Sequence, residues 1–468
     1  MLDRLFRLRE NGTTARTEVL AGVTTFLTMA YIIFVQPAVL SGSMFKHPTG
    51  MDFGAVLAAT CLAAALSTAI MGLYARYPIA QAPGMGENFF FVFSIIPAAA
   101  AAGHGEPWRV ALGVVFISGV LFVLLSLAGI RQIILDAVSP TLKNAIAVGI
   151  GLFLAFIALQ NAGVILKDPG TAVKLNPRFA SPDLVVFFVG LLTTAILHAR
   201  RVRGSLLWGI LAATLLAVGL RLVLPHVAPH AKAVSESMLM TRFAFAEAVV
   251  AAPPSLAPTL LKMDLRAALS PPMIPFILIV LFMVLFDTMG TLVAVAERAG
   301  LIVDNQLPRA NRALLSDATA SVVGAALGTS TVTSFVESAA GVEQGGRTGL
   351  TALVAALLFL LALFFSPVIA MVGSYPPLTA PALVVVGAMM AQSATRIDWS
   401  DTTEGIPAFL MMIGIPLSYS IADGIALGFI AHPVIKLCAG RRREVSWVML
   451  AMAVVLVLYF VFIRARAG

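Results

Sequence analysis

Charge is what this sequence has least of. Of its 468 residues, 12% are Asp, Glu, Lys or Arg and 59% are hydrophobic. A soluble chain of this size carries about a quarter charged residues, so water is excluded as its main solvent. Cysteine is nearly absent. Cys61 and Cys438 lie far apart in apolar surroundings, which excludes a disulfide framework and a thiolate metal site. The six histidines, His47, His104, His198, His226, His230 and His432, stand in or near loops without metal-ligand spacing, so no metal is expected. A nucleotide-phosphate loop, a nucleophile elbow and a zincin helix are all missing, which leaves an ATP-driven pump without support.

What the chain has instead is apolar length. A hydrocarbon layer ~30 Å thick takes roughly 20 apolar residues per helix. Such runs follow one another near 19–40, 54–73, 80–97, 108–129, 142–162, 183–199 and 204–224. After a polar, Pro- and His-containing stretch, a second series falls near 272–296, 313–328, 329–341, 348–372, 378–393, 404–418 and 421–437. Seven and seven point to a repeat, and because seven is odd the second copy enters the membrane from the other side. The expected fold is an all-α polytopic membrane protein with 14 transmembrane segments in two inverted seven-span repeats. Its parts are an N-terminus at 1–18, a first repeat at 19–224, an extracytoplasmic connector at 225–271, a second repeat at 272–437, and a basic loop with an apolar helix at 438–468. The last apolar run, 447–463, fits either a further span or an interfacial helix.

A net charge of +8 raises nucleic acid as a partner, but the cations sit in short loops between apolar runs, where they report topology. With the N-terminus placed inside, eighteen Lys and Arg, among them Arg4, Arg76, Arg131, Lys143, Arg309 and Arg347, fall in cytoplasmic loops. Nine, among them Lys46, Arg109, Arg178 and Arg242, fall outside. That bias satisfies the positive-inside rule. The expected location is the inner (plasma) membrane, with a cytoplasmic N-terminus and no nucleic-acid partner.

An acid at the centre of a span costs ~3 kcal/mol on insertion scales, so one that interrupts an apolar run faces a cavity or a partner. Five acids do so: Glu87, Asp287, Asp317, Glu337 and Asp423. Asp287 lies deepest, in FILIVLFMVLFDTMGTLVAVA, with Thr288, Gly290 and Thr291 on the adjacent turn. It suits an acceptor for an N–H-bearing substrate or a proton carrier; the alternative is an acid bonded to hydroxyls of a broken neighbour. Glu337 follows Thr329, Ser330, Thr331, Thr333 and Ser334, a stretch too polar for lipid that is expected to run extended and then turn into a half-helix. In QAPGMGENFFF at 81–91, Pro83, Gly84 and Gly86 break a helix and place Glu87, Asn88 and Phe89 at the start of another half-helix. Asn88 offers edge recognition, and Phe89 either a stacking face or lipid-facing bulk. The two interrupted elements are expected to meet at the bilayer midplane, because free backbone groups are tolerated there only against protein or a cavity. Asp317, about one turn into its run near Arg309 and Arg312, and Asp423, at the start of another, read as helix-start acids.

Six strings carry a family likeness across nearly the whole chain: GTTARTEVLAGVTTFLTMAYIIFVQP at 12–37, QAPGMGENFF at 81–90, FDTMGTLVAVA at 286–296, GTSTVTSFVESAAGVEQGGRTGLTALV at 328–354, PALVVVGAMM at 381–390 and IPLSYSIADGIALGFI at 415–430. They resemble the AzgA-like purine permeases of the nucleobase/ascorbate transporter superfamily. The resemblance implies a core domain of spans 1–4 and 8–11, a gate domain of spans 5–7 and 12–14, and short antiparallel strands in spans 3 and 10. It also implies that a base binds among spans 3, 8 and 10. By motif, Asp287 and Glu337 match the two acids that handle substrate and proton, Asn88 matches the polar residue of span 3, and backbone near Phe89 and Val336 meets the base edge. Gly86, Thr288, Thr291, Thr333 and Ser338 support them. Two positions depart from the family pattern: Glu87 stands where Leu is usual in Gly-Leu-Asn, and Gln36 where Asn is usual in Val-Asn-Pro. Glu87 thereby joins Asp287 and Glu337 as a proton-coupling candidate.

The implied activity is import of hypoxanthine, guanine or adenine by proton symport, without a cofactor; sodium stays open as an alternative coupling ion. The expected partners are the purine and the lipid bilayer, with a homodimer as an option. The rival readings are carriage of xanthine, uracil or an anion on the same fold, and an intramembrane enzyme built on a carboxylate dyad.

Overall fold

The computed structural model describes residues 3, 6–45, 48–128, 138–227, 231–299, 308–458 and 460–461. Arg4, Lys46, His47, Arg131, His230 and the end of the 447–463 run lie outside them. In chain order come α1 Ala15–Leu40, α2 Phe53–Ala75, strand β1 Gln81–Pro83, α3 Glu87–Ala101, α4 Pro107–Ala128, α5 Pro140–Asn161, a hairpin of β2 Ile165–Asp168 with β3 Ala172–Leu175, α6 Pro182–Ala199 and α7 Ser205–Val227. Three short helical turns lie within 232–268. They are followed by α8 Ile274–Arg298, α9 Ala310–Leu327, β4 Val332–Ser334, α10 Ser338–Glu343, α11 Gly349–Gly373, α12 Ala380–Ala391, α13 Thr402–Ser418, α14 Ile421–Cys438 and α15 Trp447–Leu458. Among the described residues nine helical stretches are long and apolar enough to cross a membrane. The chain is a multi-pass, mainly helical membrane protein.

Helix starts follow simple capping chemistry. Ser139 and Ser181 accept hydrogen bonds from Leu142 N and Leu184 N, and each is followed by a proline whose missing N–H costs nothing at the first helical position. Two groups of helices pack among themselves: α1, α2, α4 with α8–α11, and α5–α7 with α12–α14. Within the first group Glu18, fully buried on α1, accepts bonds from Arg347 N (2.8 Å), Thr348 Oγ1 (2.8 Å) and Thr351 Oγ1 (2.7 Å) and pins the start of α11. The second group turns on a reciprocal glycine contact. A Cβ on Gly151 of α5 would lie 2.7 Å from Gly387 O, and one on Gly387 of α12 would lie 2.4 Å from Gly151 O. Small residues at such a crossing let two membrane helices approach backbone to backbone.

The polar connector after α7 lies across one end of the bundle, called here the connector face. Leu261 N donates to Ala326 O at the end of α9 (2.8 Å), and Asp264 N donates to Arg109 O at the start of α4 (2.9 Å). Asp183, at the start of α6, accepts from Met238 N, Leu239 N and Tyr375 Oη. Three sequence expectations need correction. Residues 165–175 pair as a hairpin that polar loop composition did not reveal. Lys143 belongs to the first turn of α5 rather than a loop, and its Nζ stands 4.9 Å from the centre of the Phe286 ring on α8. His432 is buried within α14, 3.1 Å from Glu404 Oε1 of α13, because Glu404 also draws in Lys436 (2.8 Å) and needs its remaining lone pairs satisfied away from water.

Gly387→Leu should force α5 and α12 apart at a cost of about 1–3 kcal/mol, lowering the melting temperature of the detergent-purified protein. Gly219→Ala, on α7 with open space around its Cβ, should leave it unchanged.

Candidate functional site

The site is built on two interrupted elements that satisfy one another. β1 and β4 pair antiparallel with Gln81 opposite Ser334, Ala82 opposite Thr333 and Pro83 opposite Val332. The pairing extends through Gly84 N to Thr331 O (3.0 Å) and Phe335 N to Ala80 O (3.0 Å). Ser338 Oγ accepts from Ala80 N (3.0 Å), closing a further backbone donor. Each strand then turns into a helix, α3 or α10, so two helix N-termini converge on the crossing with their partial positive charge. The two interrupted elements expected from the Pro/Gly and hydroxyl patterns do meet, as a pair of antiparallel strands.

Asp317 is not a helix-start acid. It lies inside α9, fully buried, and its carboxylate accepts from Gln81 Nε2 (2.9 Å), Ser334 N (2.7 Å), Ser334 Oγ (2.7 Å) and Thr288 Oγ1. It therefore clasps β1, β4 and α8 together. The seven residues before it in α9 carry it past the interface, so nearness to Arg309 and Arg312 in sequence misplaced it.

Asp287 on α8 is exposed, with Thr333 Oγ1 donating to its Oδ2 at 3.2 Å. Thr288 points the other way, buried between Asp317 and Thr333 (3.3 Å), and Thr291 is buried one turn on. Glu337, half-buried, precedes α10 and accepts from Tyr31 Oη at 2.8 Å. Val336 beside it is 43% exposed. Glu87 is buried, folding back to accept from Gly86 N (3.2 Å), and a Cβ on Gly84 would lie 2.2 Å from its Oε2. Asp287 feels the charges of Glu87, Asp317 and Glu337, so the four acids share one electrostatic environment. Asn88 is buried, its Nδ2 donating to Gln36 Oε1 (2.7 Å), while its Oδ1 has no hydrogen-bond partner among the described residues. The stacking role for Phe89 needs correction: its ring is fully buried, edge-on to Phe45 (5.9 Å) and Phe153 (6.5 Å), because the half-helix turns that face into an aromatic cluster. Gly86 faces Ile150 of α5, 3.0 Å from where a Cβ would stand.

Tyr31, Gln36 and Gln81 were missed. Gln36 bonds Asn88 and donates to Thr329 Oγ1 (2.9 Å) and Ser330 Oγ (2.8 Å), tying α1 to both interrupted elements. Its signal was present, since it is one of the two departures from the family pattern. Tyr31 shares the same string and is buried on α1, with its hydroxyl bonded to Glu337. Among the described residues no group of three or more His, Cys, Asp or Glu is placed to hold a metal ion.

Exposure around the acids is uneven among the described residues. On α8, residues 279–285 toward the connector face are buried, whereas Asp287 and Gly290 beyond them are exposed. On the α10 side, Val336, Glu337, Ala340 and Glu343 form a stripe of exposed or half-buried positions leading to the opposite face.

A family model described as "Permease family" matches residues 16–427. This chain belongs to that family. A guanine/hypoxanthine permease of Bacillus subtilis is 44% identical over 99% of this chain and 100% of its own. An adenine permease of Escherichia coli is 40% identical over 100% and 97%. A Methanocaldococcus jannaschii permease is 45% identical over 99% and 98%. The AzgA-like resemblance of the motifs is borne out, and this member of the Permease family is a transporter rather than an enzyme. Among solved structures, the transmembrane domain of a cyanobacterial bicarbonate transporter superposes with a TM-score of 0.61 at 14% identity, covering 87% of this chain and 97% of that one. That likeness concerns the fold alone.

Asp317→Asn keeps one acceptor oxygen and turns the other into a donor, set against either Thr288 Oγ1 or the Gln81 and Ser334 donors, at about 1–3 kcal/mol for each group left unpaired. It should lower both melting temperature and uptake, with Asp317→Glu no better; parent-like stability would contradict the clasp.

Proposed function

We propose that this permease imports purine nucleobases by proton symport. The observation that carries the reading is the pair of accessible carboxylates, Asp287 and Glu337, one held by Thr333 and the other by Tyr31, beside a crossing of two strands and two helix N-termini. A purine presents ring N–H donors and acceptor nitrogens and oxygens on its edge. Carboxylates take the donors, while backbone N–H groups near Phe89 and Val336 and the Asn88 side chain read the rest. The names of the relatives, guanine/hypoxanthine permease and adenine permease, support this substrate class.

Four carboxylates in one low-dielectric site repel one another, so a proton taken up by one relieves the others. Glu337 carries the proton on entry and releases it to the cytoplasm with the base; Asp287 stays as acceptor. Glu87 shares the field and tunes that exchange. Sodium is the competing coupling ion, and acids lining the site argue against an anion as cargo.

The polypeptide crosses the membrane fourteen times with its N-terminus in the cytoplasm of the cell, in two inverted repeats. In support, the paired strands β1 and β4 lead into α3 and α10, and the reciprocal glycines join α5 and α12, so each contact relates helices seven apart in order, as a two-fold relation requires. The first packing group is the core that carries the base and the second is the gate it moves against.

In proteoliposomes, labelled hypoxanthine, guanine or adenine should accumulate under an inward proton gradient and not under a sodium gradient alone. Correctly inserted Asp287→Asn and Glu337→Gln should each lose about tenfold or more of that uptake, the worth of a charge-assisted hydrogen bond at roughly 1.5–3 kcal/mol. Parent-like uptake by both would overturn the site.

A further inference from the structure

Beyond the acids and the strand crossing, α3 meets the second packing group through a cluster of rings and hydroxyls. The half-helix α3 contains a π-turn, Phe91–Ile95, and such turns re-aim side chains within a helix. Phe93 meets Phe153 of α5 at 5.7 Å and Tyr419 at 5.3 Å, both edge-on, with Phe45 behind it at 4.7 Å. Ser94 Oγ lies 3.5 Å from Ser420 Oγ and accepts from Ala422 N at 3.4 Å. On the opposing side, Tyr419 caps α13 in a left-handed conformation with φ 55°, a strained setting for a residue other than glycine. The strained turn is held by Ser420 N donating to Ser418 Oγ (3.2 Å), Ser418 Oγ donating to Ser420 O (2.9 Å), and Tyr419 Oη donating to Gln160 Oε1 (2.8 Å).

Its position gives the contact a meaning. Gln160 is one residue short of the end of α5, and α3 runs from the strand crossing toward the connector face, so the cluster lies between the acids and that face. Beside the acids, Gly290 and Val336 are exposed, as is Asp287 itself. Edge-on rings and long hydroxyl contacts suit a seam that separates and re-forms, because nothing ionic or covalent has to break.

We propose that the seam between Phe93–Ser94 and Tyr419–Ser420 closes the route from the connector face, and that it parts each time a substrate enters from that side. The residues act as positioning groups for transport, setting which face reaches the acids without touching the cargo. The proposal rests on the transport reading, with the connector face extracytoplasmic, but not on the identity of the base.

Ser94→Cys with Ser420→Cys, in a background of Cys61→Ala and Cys438→Ala, places two thiols where the hydroxyls now stand 3.5 Å apart, close enough for a disulfide to form with small side-chain rotation. Oxidation should consume both free thiols and abolish hypoxanthine uptake, with recovery on reduction, while purine-dependent thermal stabilisation persists. Full uptake with the disulfide formed, or failure of the disulfide to form under oxidant, would overturn the proposal. Should the pair prove unstable, single Ser94→Cys should react with a membrane-impermeant maleimide from the connector face, and faster when Phe93→Ala is added; an unchanged rate would also overturn it. Those labelling rates do not depend on any base, so a protein that carries no purine would still report on the seam.

Discussion

Everything at the centre of this permease depends on one constraint, that a helix interrupted at membrane depth must have its freed peptide groups satisfied by protein. An unpaired N–H or C=O in hydrocarbon costs several kcal/mol. Two breaks that pair with each other remove the penalty for both, and the antiparallel register of β1 with β4 does this. Once the strands are paired, their helices must begin at the same place, which brings two partial positive charges to one point. Buried acids then become affordable there. Asp317 occupies the middle of the arrangement as the clasp, taking four donors from three elements, and leaves Asp287 exposed and Glu337 half-buried beside it.

Much of this was legible in the sequence, and for identifiable reasons. Hydropathy marked a multi-pass helical membrane protein because hydrocarbon thickness fixes the length of a span, and Pro83, Gly84 and Gly86 together with the hydroxyl run at 329–334 marked the breaks because neither pattern survives against lipid. The accessible acids were legible because a carboxylate in mid-span is expensive. What escaped was long-range pairing. Asp317 looked interfacial because sequence distance from Arg309 says nothing of the strand that α9 packs against. Phe89 looked like a stacking platform because an aromatic beside an amide suits a base, yet the turn of α3 buries its ring. Tyr31 and Gln36 are joined to Glu337 and Asn88 across about 300 and 50 residues, and only tertiary structure makes such partners visible.

Placement of polar groups and uneven exposure around the acids together describe a working transporter. An aromatic cluster of Phe93, Phe153 and Tyr419 joins α3 to the second group of helices, and Asp287 is exposed on α8. Glycines at Gly151 and Gly387 stiffen the second group by close approach, while Glu18 fixes α11 within the first.

The central claim is that those acids couple a purine to a proton. It is tested most directly by recording pH in a weakly buffered suspension of proteoliposomes when hypoxanthine is added outside. The account predicts external alkalinisation with the time course of uptake, abolished in Glu337→Gln. Hypoxanthine uptake at the parent rate with no movement of protons would contradict it.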